Sequence, residues 1–141
     1  MLKHIPKIFT PDLLKLLMQT GHGDEILIAD GNFPHKNSSR EIIYIPVCDI
    51  SELLKDILRF FPLDSAVEYA AFAMEVLKEN VKYEDYKNLI EKNGSKLQLV
   101  ERFAFYNLAE NASGIIVTAD TTRGGNILIK KGVVKTEDTI D

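Results

Sequence analysis

The stretch from Gly21 to Val47, GHGDEILIADGNFPHKNSSREIIYIPV, decides the fold. Within it, EILIAD is a short apolar run closed by an aspartate and reads as a buried strand. GNFPHKNSS gathers Gly, Pro, Asn and Ser into a loop, and REIIYIPV reads as a second strand. Upstream, TPDLLKLLMQTG has the marks of a helix, with Thr10 as N-cap, Pro11 at the first helical position, Asp12 at the positive dipole end and Gly21 as the stop. Downstream, DISELLKDILRFF spaces Ile50, Leu53, Leu54, Ile57 and Leu58 for an amphipathic helix. SAVEYAAFAMEVL stays open between helix and central strand, because Ala, Met, Glu and Leu favour helix while its length and position also allow a strand. YEDYKNLIEKNG is a charged helix stopped by Asn93 and Gly94, KLQLVE a short strand and RFAFYNLAENA another helix. SGIIVTAD and NILIKKGV read as two strands joined by a tight connection at TTRGG. Helices alternating with buried strands predict an α/β fold, a single domain over residues 1–141 with a central, largely parallel sheet flanked by helices.

Composition limits the function classes. With 141 residues, 45% of them hydrophobic, the chain can bury one sizeable core and no second one. Seventeen Lys and Arg against 21 Asp and Glu are scattered along the chain, so the basic stripe of a nucleic-acid binder is missing. The N-terminal MLKHIPKIFTPDLLKLLMQTG breaks its apolar residues with Pro and Lys, unlike a secretory leader, and no segment approaches the ~18 apolar residues of a membrane span. A soluble cytoplasmic protein is expected. The single cysteine, Cys48, has no disulfide partner and is expected to act as a small core residue.

Chemistry concentrates in few residues. Histidine ordinarily titrates near neutrality, and of His4, His22 and His35 it is His22, set between two glycines that let a ligand approach closely, that is the best acid/base candidate. The alternative is a turn residue bonded to backbone. Asp30 stands where a strand leaves the sheet, a position at which α/β proteins bind ligands, or else it is an ordinary loop carboxylate. About seven residues of chain separate it from His22, or ~25 Å if extended. The two meet only if the loop folds back or a neighbouring subunit contributes. Arg102 and Tyr106, four apart in RFAFY, share a helix face and can grip hydroxyls, or can form a surface cation and a core tyrosine. Asn126 follows RGG and is either a pocket amide or a turn amide. No metal-ligand spacing and no GxGxxG or GxxxxGK[ST] loop occurs, so neither a metal nor a nucleotide cofactor is expected.

The combination of PDLLKLLMQTGHGDEILIADGNFP, ERFAFY and GNILIKKGV resembles the RbsD/FucU family over nearly the whole chain, and its L-fucose mutarotase branch more than its D-ribose pyranase branch. The middle, residues 36–95, matches only in element order. The resemblance implies a cofactor-free sugar mutarotase, a ring-shaped homodecamer of two stacked pentamers, and active sites between neighbouring subunits. It implies His22 as proton donor, with Asp30 and Arg102 as sugar-binding residues. The family's sugar-contacting Tyr-x-Asn falls on Gly124, Gly125 and Asn126, so the asparagine is kept and the tyrosine is replaced by Gly124. Tyr106 and Tyr44 are the aromatics available for its place. The alternatives are a ribose-type pyranase, a mutarotase for another aldose, or a sugar-binding protein without turnover. An uncharged sugar fits the absence of a phosphate loop, with Arg102 and Lys130 the cations that a phosphate would meet.

Overall fold

Six strands form one sheet in the computed structural model, which describes residues 1–36 and 38–141. They are β1 (Glu25–Ala29), β2 (Glu41–Tyr44), β3 (Tyr69–Met74), β4 (Lys96–Val100), β5 (Gly114–Val117) and β6 (Ile127–Lys130), in the order β2-β5-β1-β6-β3-β4. The pairings β1·β5, β2·β5 and β3·β4 are parallel, and β6 runs antiparallel to β1 and β3. Among the described residues four α-helices cover the sheet: α1 (Pro11–Gln19), α2 (Ile50–Ile57), α3 (Lys82–Lys92) and α4 (Arg102–Ala109).

Alternation along β1 divides the core. Ile26 and Ile28 point to a layer built with Leu13, Leu16 and Leu17 of α1, Leu53, Leu54 and Ile57 of α2, and Tyr86 and Ile90 of α3. Leu27 and Ala29 point to the other layer, with Leu128, Met74, Phe33, and Phe105 and Ala109 of α4. Residues 26–29, ILIA, are therefore apolar throughout because both of the strand's faces are covered.

The open segment SAVEYAAFAMEVL resolves as β3 followed by a 3-10 helix at Glu75–Glu79. Ala70, Ala71 and Ala73 are fully buried there, and the strand takes its place through pairing on both edges, with β6 and β4, which overrides helix propensity. The expected tight connection between the last two strands is corrected: β5 and β6 are not neighbours, because β1 lies between them and residues 118–126 pass over its C-terminal end. Thr20, not Gly21, caps α1, its hydroxyl donating to the Leu17 carbonyl at 2.6 Å. Cys48 is exposed, contrary to expectation, because Ile45 and Ile50 on either side take the core positions.

Strand direction positions the chemistry. The C-terminal ends of β1 to β5 and the start of β6 lie along one edge of the sheet, since Ile127 pairs with both Ile28 and Ala73. The residues that follow those ends, Asp30, Glu75, Glu101 and Thr118 to Asn126, thus share one rim, where ligands of open α/β sheets bind. The loop Gly21–Asp24 and the end of β6 share the opposite rim, joined where Gly23 N–H donates to the Lys131 carbonyl at 2.8 Å.

Candidate active site

A cavity of about 500 Å³ opens at the first rim and brings together Asp30, Arg102, Tyr106, Gly124 and Asn126. Asp30, 5% exposed, is fixed by its backbone N–H donating to Asn126 Oδ1 at 2.7 Å and by its Oδ1 accepting from Asn32 N–H at 2.9 Å. Burial pushes its carboxyl above the ordinary aspartate range, opposed by the Asn32 amide, the Asn126 side chain and the Gly125 N–H, and reinforced by the charge of Asp120. Gly125 contributes through its backbone rather than by lining the space.

Arg102 opens α4, and Glu101 caps that helix by accepting from the N–H groups of Phe103 (2.9 Å) and Ala104 (3.1 Å). Its guanidinium lies 4.7 Å from the Phe103 ring centre and 6.0 Å from that of Tyr106, and among the described residues it pairs with no carboxylate. Phe33 holds the Tyr106 ring edge-on at 5.6 Å. Of the two aromatics available, Tyr106 lines the cavity, whereas Tyr44 accompanies His35, with its hydroxyl 3.1 Å from His35 Nε2. Gly124 has φ +66°, and a Cβ there would collide with Cγ1 of Val76. The space beside it is already filled by valine, so this backbone excludes a side chain at position 124.

His22 is not in this cavity. It stands on the opposite rim, where its Nε2 lies 3.1 Å from Asp64 Oδ1, and about half of its side chain is exposed. The five residues of β1, at ~3.3 Å each, keep the two rims apart. Asp64 is buried and also accepts from Ala66 N–H at 3.0 Å. That hydrogen bond, with further help from His22, holds its carboxyl below the ordinary range against burial. An ionised carboxylate only accepts, so Nε2 donates in this contact, and among the described residues Nδ1 has no hydrogen-bond partner. Lys130 also belongs to this rim, next to Glu25 and Asp64, so it and Arg102 cannot serve one ligand in a single protomer.

Sequence reasoning missed Asp64, Glu75, Glu101 and Asp120. Glu101 carried a signal, a carboxylate just before a helix start. Asp64 meets His22 across 42 positions, a pairing that no local pattern encodes.

A buried carboxylate, an amide, a guanidinium and a phenol around a space of this size suit a small ligand rich in hydroxyls, with a histidine–carboxylate pair able to move protons on the far rim. The fold and these groups define a small α/β protein built to hold a polar metabolite. The chain belongs to the RbsD / FucU transport protein family, whose model matches residues 3–134. It is 40% identical to the fucose mutarotase of Danio rerio, with 97% of each chain covered. It is 39% identical to the L-fucose mutarotase of Actinobacillus pleuropneumoniae serotype 5b, covering 94% of this chain and 97% of that one. The fucose mutarotase of Streptococcus pneumoniae, solved in complex with L-fucose, superposes with a TM-score of 0.86 at 39% identity, covering 95% of this chain and all of the other.

Proposed function

We propose that this protein is an isomerase that interconverts the α and β anomers of L-fucose. The observation that carries this reading is the full-length match, in sequence and fold, to a fucose mutarotase solved with L-fucose. Mutarotation asks for proton traffic alone. A proton leaves the anomeric hydroxyl, another reaches the ring oxygen, and the C1–O bond opens to the aldehyde. Rotation about C1–C2 and reversal of these steps then close the ring on the other face. Atoms and electrons balance without a cofactor or a covalent intermediate.

In this reading His22 is the acid/base group. Its Nδ1 exchanges the proton while Asp64 keeps Nε2 protonated and steadies the imidazolium. Asp30, Arg102 and Asn126 hold the sugar hydroxyls, Tyr106 offers a ring face and a hydroxyl, Gly124 lets backbone approach the ligand, and Gly125 supports Asp30 from behind. Acid/base assistance is worth ~10² to 10⁴ in rate, and positioning supplies the rest. Because His22 and Asp30 occupy opposite rims, His22 of one subunit completes the cavity of its neighbour, in a homodecamer of two stacked pentamers working in the cytoplasm.

Proton exchange NMR on equilibrated L-fucose, with D-ribose in parallel, tests the reading. Faster α/β exchange for fucose than for ribose on adding catalytic protein is expected. A marked preference for ribose overturns the choice of sugar, and saturable fucose binding without any enhancement overturns the enzyme.

A further inference from the structure

Behind the cavity, residues that never reach it determine where one of its walls stands. We infer that Lys82 and Tyr86, one turn apart on α3, are positioning residues that clamp the segment Asp120–Asn126 over Asp30 and thereby set the affinity of the pocket for its sugar.

The clamp grips both ends of the segment. At one end Lys82 Nζ is shared between Asp49 Oδ1, 3.3 Å away, and Asp120 Oδ2. Asp120 is 1% exposed, and its carboxylate also accepts from two backbone groups: Oδ2 takes Ile50 N–H at the start of α2 and Oδ1 takes Thr122 N–H, each at 2.8 Å. Its carbonyl accepts from Gly31 N–H at 2.8 Å, so this end is bonded to the residue next to Asp30. At the other end the fully buried Tyr86 donates its hydroxyl to the Gly125 carbonyl at 2.6 Å. The following residue, Asn126, accepts from Asp30 N–H. Between the two anchors lie Thr121, Thr122, Arg123 and Gly124, all facing the cavity.

The pairing is strong where it matters. A buried Asp120 carboxylate without its cation is costly, so Lys82 is what allows the segment to sit with that charge inside. Neither α3 residue touches the cavity or His22. Losing the clamp therefore displaces a wall that binds the sugar in ground and transition state alike, which raises KM and leaves kcat in place. A displacement of the order of 1 Å in such a wall is worth about 10- to 100-fold.

This inference rests on the mutarotase reading, and the experiment separates the two. L-fucose exchange rates are measured by NMR against sugar concentration for the wild type, Tyr86→Phe, Lys82→Met, Lys82→Arg, and Lys92→Met as a control at an exposed site of the same helix. Hydrogen–deuterium exchange over residues 120–127 is followed by mass spectrometry. Tyr86→Phe keeps the ring in the core and removes one hydroxyl. It is expected to raise KM about tenfold at near-unchanged kcat and to speed exchange in the segment. Lys82→Met is expected to do more, Lys82→Arg to recover most of the loss, and Lys92→Met to change nothing. If Lys82→Met fails to fold, Tyr86→Phe carries the test alone. A folded Tyr86→Phe variant with unchanged KM overturns the inference, as does a fall in kcat at constant KM. A wild type without fucose exchange overturns the mutarotase reading instead, and the deuterium readout then decides whether α3 clamps the segment.

Discussion

At the scale of single residues the proposed function divides the site into a proton-moving pair and a set of ligand-holding groups, and substitutions distinguish them. Replacing His22 by Ala or Gln removes the acid/base group and is expected to slow anomer exchange by ~10² to 10⁴ without loss of sugar binding, as read by NMR exchange and titration calorimetry. Unchanged exchange in either variant removes His22 from the mechanism. Asp64→Asn keeps the shape but turns an acceptor-only group into one that can also donate, so the Nε2 proton is no longer enforced. The expected loss is smaller, about 10- to 100-fold, because the imidazole itself remains. His22 was singled out in sequence by its flanking glycines. Its partner was not, since Asp64 is set beside it by the bridge Leu63–Lys131 and the turn closed by Ala66, both products of tertiary pairing.

Among the elements, α4 illustrates how a local signal becomes a wall of the pocket. Glu101 accepts from two otherwise unpaired N–H groups of the first turn, and the very next residue is Arg102. Glu101→Ala is expected to cost about 1 kcal/mol in urea unfolding, as the loss of an N-cap does, and also to weaken sugar affinity because the helix start carries the guanidinium. A variant with lower stability and intact affinity would show that Arg102 is held by its rings instead. Much at this scale was legible: the Thr10 cap locates α1, apolar spacing locates α2, and EILIAD locates β1. What sequence could not decide came from pairing. AAFAM becomes a strand only because β6 and β4 flank it, and the last two strands lose their expected adjacency because β1 inserts between them. The same insertion explains how Asn126, on a turn between two strands, comes to hold the backbone of Asp30, 96 positions away.

Across the whole molecule, charge inside the fold sets a pH window for stability. Asp120, helped by Lys82, and Asp64, helped by Ala66 N–H, have folded carboxyls below the ordinary range, so their stabilisation is present above pH ~3.9 and is lost as pH falls through their folded values. Asp30 is raised and works in the opposite sense, costing stability as pH climbs from ~3.9 through its folded value. Lys82 is raised by Asp120 and Asp49 against burial, so its contribution is full below pH ~10.4 and is lost as pH rises through its folded value. Urea midpoints are expected to decline at both ends of the scale, and Lys82→Met to flatten the alkaline decline; an unaltered alkaline limb would take Lys82 out of this account. Assembly supplies the remaining test at this scale. On the proposed function, a site that needs Asp30 from one rim and His22 from the other is complete only where two chains meet, so two inactive variants are expected to repair each other. His22→Ala and Asp30→Asn, co-refolded in equal amounts, place an intact Asp30 beside a neighbour's intact His22 in about one site in four, one half times one half for random mixing in a ring. Roughly a quarter of wild-type exchange activity is expected from the mixture, against background for each variant alone. If both residues served the same chain, every site in the mixture would lack one of them and the activity would stay at background. Light scattering at a mass of 15.9 kDa, the single chain, would remove the shared site before any mixing is attempted.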